Sequence, residues 1–491
     1  MSTELRTGTA AGRWVLVTTV LGSGLAMLDS TVVNVALERI GSDFGAEFAG
    51  LQWTINAYTL TLAGFILLGG SLGDRFGRRR IFLVGVVWFA LASALCGFAP
   101  SIEVLIAARA LQGIGGALLT PGSLALISAS FHGEDRAAAI GAWSGLAGVA
   151  GAVGPFVGGW LVEWNWRAVF LINLPLAAVV LVAALRHVPE SRDPAAVKHL
   201  DVPGTVLALL GLGAVTWALT EAGEAGASVA VVTTGVAGVV ALVAFVLVER
   251  RSRSPLVPPD LFANPRFSAL NGVTLLMYAA LGVLFVLLVL QLQVVAGFSP
   301  LAAGLSTLPI TVVMLLLSAR AGRLATRIGP RIPMTAGLVV AAGGMLLLLR
   351  VGEGASYWTD VLPAVVLFAL GLSATVAPLT ATVLDAADDR HAGIASGVNN
   401  AVARAANLLA VAVIPAAAGI AGADYTNPVA FSAGYHRAVV IAACLLLAAA
   451  VVTVLLLRPS PRFQVHECSH CGVSEPAPDP VGRAERRGSE A

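Results

Sequence analysis

The feature that most constrains this chain is a series of apolar runs, each long enough to cross a lipid bilayer as a helix. A helix needs about 20 apolar residues to cross a hydrocarbon core ~30 Å thick. The sequence contains fourteen such runs, at 14–37, 51–71, 81–99, 103–127, 138–162, 167–186, 203–221, 228–248, 268–291, 300–319, 333–350, 360–384, 394–420 and 437–457. The series predicts an all-α polytopic membrane protein with 14 transmembrane helices.

Composition excludes the main classes of soluble protein. Of the 491 residues, 57% are hydrophobic and 12% are charged, whereas an average soluble protein carries about 25% charged residues. A soluble multidomain enzyme, a nucleic-acid binder and a disordered scaffold are therefore excluded. The chain also contains no H-E-x-x-H, phosphate-binding loop or G-x-S-x-G motif, so we expect no enzymatic activity, no cofactor and no drive by ATP.

The basic residues indicate which side of the membrane each loop occupies. Fourteen spans place both termini on one side. If that side is the cytoplasm, 24 Lys and Arg residues lie inside and four lie outside, which satisfies the positive-inside rule. Lys198 is the single lysine among 30 basic residues, which is typical of a GC-rich bacterial genome. We therefore predict a multi-pass protein of the bacterial cytoplasmic membrane with both termini in the cytoplasm.

Two loops carry an internal repeat. The ten residues 70–79 and the ten residues 322–331 agree at five positions, at a fixed offset of 252. Eight spans separate the two loops, so the chain consists of two similar halves with two extra spans between them. The predicted organisation is a cytoplasmic N-terminus at 1–13, a six-helix bundle at 14–186, a two-helix insert with its loops at 187–266, a second six-helix bundle at 267–457 and a disordered cytoplasmic tail at 458–491.

For two segments outside the bundles we favour an interpretation without a functional site. The insert is predicted to be a peripheral helix hairpin with no transport residue, and only Glu221 argues against this. In the tail, the cluster His466, Cys468, His470 and Cys471 has the residue types of a metal site. A lone cluster in a Pro-rich and charged segment is more often solvated coil, so we predict no metal site.

Span 1 contains an acidic residue, Asp29, eight residues before the predicted end of the span. A carboxylate at that depth, about 12 Å, must face a cavity or a partner. Low dielectric favours its neutral form, as a reversible proton carrier requires. The alternative is an Asp with a purely structural hydrogen bond.

Span 4 contains a basic residue at nearly the same depth. Arg109 begins the segment that continues through Gln112 and Gly113, and it lies about 9 Å below the same surface. Since an unpaired Arg is costly there, we infer that Arg109 and Asp29 lie within ion-pair or water-bridged reach. The alternative is that backbone carbonyls or Gln112 satisfy Arg109.

The loop after span 2 combines glycines with a basic cluster. The glycines allow a tight turn, Asp74 can accept from Arg side chains, and the arginines can bind helix ends and lipid headgroups. In the alternative interpretation, the basic loop only sets the orientation of the chain in the membrane. The candidate residues are Gly70, Asp74, Arg75, Gly77, Arg78 and Arg79.

Span 5 ends in a Gly-Pro-x-x-Gly-Gly sequence formed by Gly154, Pro155, Gly158 and Gly159. Small residues at this spacing leave a smooth face that a helix of the other half can approach, and Pro155 adds a kink. The alternative is generic small-residue packing. The following segment, 166–175, reads as an anchor at the outer interface.

Four further polar residues are candidates for a cavity lining. They are Asn34 in span 1 and Asn399, Asn400 and Arg404 in span 13. For Arg404 a second reading stays open, in which it bonds a carbonyl or reaches Asp385.

The four motifs in span 1, in the loop after span 2, in span 4 and in span 5 together resemble the major facilitator superfamily. They resemble more closely its branch of fourteen-span drug:proton antiporters. The resemblance covers about residues 14–457. It implies proton coupling through Asp29 and Arg109, a cytoplasmic latch at the loop after span 2, and the exporter signature in span 5. The implied function is proton-driven export of hydrophobic or cationic small molecules by a monomer in the lipid bilayer, with no nucleic-acid partner. The alternatives are a proton-coupled uptake symporter and a membrane receptor or scaffold that does not transport.

Overall fold

The computed structural model describes residues 6–192, 201–252, 255, 257–387 and 392–457, and within these ranges the regular structure is helical. Thirteen helices are long and apolar enough to cross a membrane, and the helix Gly133–Trp164 between the fourth and fifth of them completes a set of fourteen. The tail cluster with His466 and Cys468 lies outside the described residues.

We number the membrane helices in chain order. They are α1 Ala10–Phe44, α2 Phe48–Phe76, α3 Arg78–Gly97, α4 Ile102–Ser130, α5 Gly133–Trp164, α6 Ala168–His187, α7 Val202–Ala225, α8 Val229–Arg251, α9 Pro265–Val295, α10 Pro300–Ile328, α11 Arg331–Arg350, α12 Tyr357–Asp385, α13 Ala392–Ala417 and α14 Pro428–Leu456. The predicted all-α fold with fourteen spans is confirmed.

The first helix extends further than its apolar run. The prediction ended span 1 at residue 37, but α1 continues to Phe44 and ends where Gly45 adopts a left-handed conformation with φ 59°. Glu38 and Arg39 are good helix formers, and Gly41 lies within the helix where an added Cβ would be 2.7 Å from the Tyr425 hydroxyl oxygen. Asp29 is therefore fifteen residues from the end of α1, about 22 Å, whereas the predicted depth of about 12 Å was counted from the end of the apolar run and stays a prediction.

The two halves repeat one turn geometry. A single glycine, Gly77 at φ 115°, separates α2 from α3, and Gly329 at φ 84° begins the turn between α10 and α11. These two positions differ by the repeat offset of 252. Both backbones lie in a region that favours glycine, so the sequence repeat corresponds to a structural one.

Helices α1–α6 and α9–α14 form the two bundles, and the insert lies against both. In the first bundle α1 packs on α5, and α4 on α2 and α3; in the second, α9 packs on α13 and α14. Helix α7 packs on α2 and on α13, whereas α8 packs mainly on α7. The predicted peripheral hairpin therefore describes α8 alone, because α7 joins the two bundles.

Both ends of the described chain lie on one face, which we call the terminal face, and the bundles meet at the opposite face. There the Phe48 N–H donates to the Gly422 carbonyl at 2.8 Å, and the Tyr425 hydroxyl donates to the Ala46 carbonyl at 2.6 Å. One turn deeper, the Gln52 amide donates to the Val411 carbonyl at 2.5 Å. The opposite face is closed in this conformation.

Candidate functional site

A buried ion pair joins α1 to α4. The Asp29 Oδ2 atom lies 2.5 Å from the Arg109 Nη1 atom, and the two side chains are 0% and 1% exposed. The ion pair that we inferred from the two charges is thus present, although α1 is longer than predicted. A charge in this position is stable only when a partner and further hydrogen bonds replace its water.

Two amides complete the environment of the Asp29 carboxylate. The Gln112 side chain on α4 donates to Oδ1 at 2.8 Å, and the Asn173 side chain on α6 donates to the same oxygen at 2.9 Å. Both amides also donate to the Ser93 hydroxyl on α3, at 2.7 and 3.3 Å. The Asp29 carboxyl group is therefore held by side-chain amides of α4 and α6 in addition to the Arg109 guanidinium.

The Arg109 guanidinium is bonded on three sides. Its Nε donates to the Thr54 carbonyl at 3.0 Å, and Nη1 donates to Gln112 at 2.6 Å as well as to Asp29. Its carbon atom Cζ lies 4.3 Å from the centre of the Tyr58 ring, in cation–π geometry. Both interpretations of Arg109 therefore apply at once. The guanidinium pairs with Asp29 and also donates to a backbone carbonyl and to Gln112.

Sequence reasoning missed Asn173, Ser93 and Tyr58. Asn173 falls in the segment interpreted as an interface anchor, yet it is fully buried. The helix is interrupted at Ile172, between Ala168–Leu171 and Asn173–His187. An amide inside an apolar run was the available signal, because polar groups within membrane helices usually serve a site.

A cavity of about 450 Å³ lies between the bundles. Arg109 and Tyr58 line it from the first bundle and Arg404 from the second, together with the other predicted cavity residues Asn34, Asn399 and Asn400. Asp29 is absent from this lining, so it contacts the cavity only through Arg109. The exposed lining residue Ser396 lies four residues from the start of α13, so the cavity extends toward the terminal face.

A second cavity of about 720 Å³ adjoins the first and is mainly apolar. Val149 and Pro155 of α5 and Ile310 and Met314 of α10 line it. The two cavities share Thr31, Asn34 and Phe285. A large molecule with one polar end and one apolar end can therefore occupy both.

The polar residues of α13 separate into two groups. Asn399 donates to Asn271 at 3.1 Å and to Thr274 at 2.8 Å, within the second bundle. The Arg404 Nε donates to the Asn400 side chain at 3.1 Å. In the described part of the chain the structure shows no ion pair between Arg404 and Asp385, so the cavity reading applies to Arg404.

The basic loop after α2 contacts its own bundle. Asp74 accepts from the Arg78 Nε at 2.8 Å, and the Arg79 guanidinium donates to the Val188 carbonyl at 3.0 Å. Glu190 accepts from the backbone N–H groups of Arg79 and Arg80, each at 3.1 Å. These contacts hold the start of α3 to the segment after α6, while a latch to the second bundle stays a prediction for another conformation.

The Gly-Pro-x-x-Gly-Gly sequence of α5 has two packing faces. A Cβ on Gly158 would lie 3.1 Å from Val32 of α1, and one on Gly154 would clash with Thr31. On the other face, a Cβ on Gly159 would lie 2.7 Å from the Pro300 carbonyl of α10, and Pro155 lies against Gly304. Small residues here permit close approach both within the first bundle and between the bundles.

Comparison with known proteins identifies the family. Residues 19–411 match the Major Facilitator Superfamily. The chain is 37% identical to the multidrug resistance protein Stp of Mycobacterium tuberculosis, over 81% of this chain and 74% of that protein. It is 37% identical to the puromycin resistance protein pur8 of Streptomyces alboniger, over 82% and 80%.

A solved structure shares the fold. It is the inward-facing, occupied form of a bacterial homologue of the human lysosomal transporter Spinster, with 18% identity, 92% coverage of this chain, 98% coverage of that one and a TM-score of 0.63. The family match, the similarity to a multidrug resistance protein and the fold shared with a transporter together indicate transport rather than enzymatic catalysis. The fourteen membrane helices and the match over residues 19–411 place the chain in the major facilitator superfamily, as an integral protein of a bacterial membrane.

Proposed function

We propose that the protein exports drug-like small molecules in exchange for protons. The observation that carries this proposal is the buried Asp29–Arg109 ion pair, whose guanidinium lines the cavity between the bundles. Its relatives support the cargo, since their names specify resistance to puromycin, methylenomycin A and tetracenomycin C. The terminal face is the cytoplasmic one in this proposal, in agreement with the basic loops.

The proton site acts through Arg109. While Asp29 is ionised, its carboxylate holds together donors from α4 and α6. Protonation removes the negative charge and leaves the Arg109 guanidinium without its counter-ion, next to the Tyr58 ring on the cavity wall. A change at a residue that the cargo cannot touch is thereby transmitted to the surface that the cargo does touch.

Alternating access separates the two binding events. Asp29 is fully buried while the opposite face is closed, so the proton exchanges in the conformation in which that face opens. Cargo enters from the terminal face in the conformation described here. One proton charge that crosses 100 mV releases about 2.3 kcal/mol, which drives the cargo outward.

A strain that expresses the protein should survive higher concentrations of at least one of puromycin, methylenomycin A and tetracenomycin C. Protection against none of them contradicts export of compounds of this kind. With a protected compound, transport is then measured in proteoliposomes with and without an imposed pH gradient. We expect the pH gradient to accelerate transport of the compound against its own concentration gradient. Transport at the same rate with and without the pH gradient contradicts proton coupling.

The variant Asp29→Asn tests the site itself. Asn is neutral and similar in shape, so we expect the protein to fold and to lose gradient-driven transport. Asp43→Asn is the matched control, because Asp43 is on the same helix and its ion pair with Arg167, at 3.5 Å, is exposed. Gradient-driven transport by Asp29→Asn at the rate of Asp43→Asn contradicts the role of Asp29.

A further inference from the structure

We infer that the cargo is an amphipathic organic anion, whose acidic group binds Arg404 and whose apolar body fills the cavity between α5 and α10. The inference rests on the proposed function and narrows it. The sequence alone predicted hydrophobic or cationic cargo, whereas the charges that line the cavity favour the opposite sign.

Arg404 lies at the middle of a membrane helix. It is twelve residues from the start of α13 and thirteen from its end, about 18 Å from either. Among the described residues no carboxylate forms an ion pair with it, and its one hydrogen bond is from Nε to Asn400. A charged group at this depth is costly and is retained where it binds something.

The charges of the cavity wall do not cancel. Arg109 and Arg404 both line the cavity, and no Asp or Glu lines it in the described part of the chain. Asp29 compensates Arg109 at 2.5 Å, so among the described lining residues the positive charge of Arg404 stays uncompensated. In a low-dielectric site a cationic ligand is repelled and an anionic ligand is attracted.

The geometry of the guanidinium suits an oxyanion. The bond from Nε to Asn400 leaves the two terminal nitrogens available, and paired N–H groups of this kind bind a carboxylate in a bidentate manner. The hydroxyl of Tyr278 and the amides of Asn400 and Asn407 line the same cavity. A carboxylate, phenolate or sulfonate can therefore be bound there through charge-assisted hydrogen bonds.

The requirement that the body of the cargo be apolar comes from the adjoining cavity. It is the larger of the two, at about 720 Å³ against 450 Å³. Residues such as Val289, Ile310, Met314 and Leu315 line it, and they bind a ligand by burial of apolar surface. The two cavities share the lining residues Thr31, Asn34 and Phe285, so we assign the acidic group and the apolar body to one molecule.

Anionic cargo also fits the energetics of export. A negative charge that leaves a cell with a negative interior moves with the membrane potential, as does a proton that enters. Export of an anion and entry of a proton therefore both use the potential. A cation would have to leave against it.

The test compares two dyes of the same xanthene framework and opposite charge, fluorescein and rhodamine 123. Fluorescence anisotropy reports their binding to the purified full-length protein in detergent at pH 8, where fluorescein is an anion. We expect the wild type to bind fluorescein at least about 10-fold more tightly than rhodamine 123, as one charge-assisted contact provides. Tighter binding of rhodamine 123, or no binding of fluorescein, contradicts the inference.

Variants of Arg404 separate charge from shape. Arg404→Gln should weaken fluorescein binding at least about 10-fold without weakening the binding of rhodamine 123. Arg404→Lys should restore only part of the fluorescein affinity, because lysine keeps the positive charge but lacks the paired N–H groups of the guanidinium. Arg437→Gln is the control, because Arg437 is exposed and donates to the Ala433 carbonyl in its own helix. Equal fluorescein affinity in Arg404→Gln and Arg437→Gln overturns the inference. Since binding is measured without a gradient, this failure leaves the test of proton coupling intact, and the reverse also holds.

Discussion

The carboxylate of Glu224, near the end of α7, accepts a hydrogen bond from the Gly422 N–H, with 2.5 Å between Oε2 and N. Its other oxygen accepts from the Ala49 N–H at 3.1 Å, at the start of α2. Gly422 belongs to the second bundle and Ala49 to the first. A side chain of the insert thus joins the two bundles at the closed face, beside the hydrogen bond between Phe48 and Gly422.

The first prediction concerns this bridge. Glu224→Gln removes the charge and one of the two acceptor oxygens, so we expect the closed face to open more often. Hydrogen–deuterium exchange should show faster exchange at the Phe48 and Gly422 amides, by about 10-fold for a loss near 1.4 kcal/mol. Glu221→Gln, one turn away on the same helix, should leave both amides unchanged. Equal exchange in the two variants would show that the bridge does not hold the face closed.

The second prediction concerns the stability of the proton site. Arg109→Ala leaves the Asp29 charge buried without its counter-ion, and such a change costs about 3–5 kcal/mol. Arg350→Ala removes the exposed partner of the ion pair with Asp360, at 3.8 Å, which costs about 0–1 kcal/mol. Thermal unfolding in detergent should show a much lower midpoint for Arg109→Ala. Adding Asp29→Asn to Arg109→Ala should recover part of the loss, and the absence of any recovery would contradict the uncompensated charge as its cause.

Features that depend on the chain's own periodicity were predictable from the sequence. The fourteen apolar runs correspond to the fourteen helices because each must satisfy its backbone hydrogen bonds inside the bilayer. The pairing of Asp29 with Arg109 was also predictable from the free energy of placing a charge inside the membrane, since neither charge is stable alone at that depth. In both cases the membrane restricts the solutions so strongly that little tertiary information is needed.

Features that depend on contacts between distant segments were not predictable. The position of Asn173 beside Asp29 arises from the packing of α6 on α1, and no local pattern encodes it. The bridge by Glu224 needs the packing of α7 on both bundles, which hydropathy does not reveal. The sign of the cavity charge depends on which buried residues face one another, and Arg404 could be assigned only when its neighbours were known.

The third prediction tests the repeated turn. Gly77 at φ 115° and Gly329 at φ 84° occupy equivalent places in the two halves. An L-residue in such a conformation costs about 1–3 kcal/mol. Gly77→Ala and Gly329→Ala should each lower the midpoint of thermal unfolding, and at Gly77 the added Cβ would also lie 2.9 Å from the Glu190 carboxylate. Gly141→Ala is a control within a helix, with nothing within 4 Å of the added methyl group.

The fourth prediction concerns the contact between α5 and α10 at the closed face. A Cβ at Gly159 would lie 2.5 Å from the Leu301 Cα and 2.7 Å from the Pro300 carbonyl oxygen. These are backbone atoms of the other bundle, which cannot move aside as a flexible side chain can. Gly159→Ala should therefore push the bundles apart at this face and leave each bundle folded.

Hydrogen–deuterium exchange and thermal unfolding together distinguish the outcomes for Gly159→Ala. We expect faster exchange at the Phe48 and Gly422 amides, which close the same face, while the amides around Asp29 within the first bundle stay protected. Gly141→Ala, on the same helix, should exchange as the wild type does. If Gly159→Ala instead exposes both bundles, the contact stabilises the fold as a whole, and if it changes neither, α5 and α10 do not limit the opening of this face.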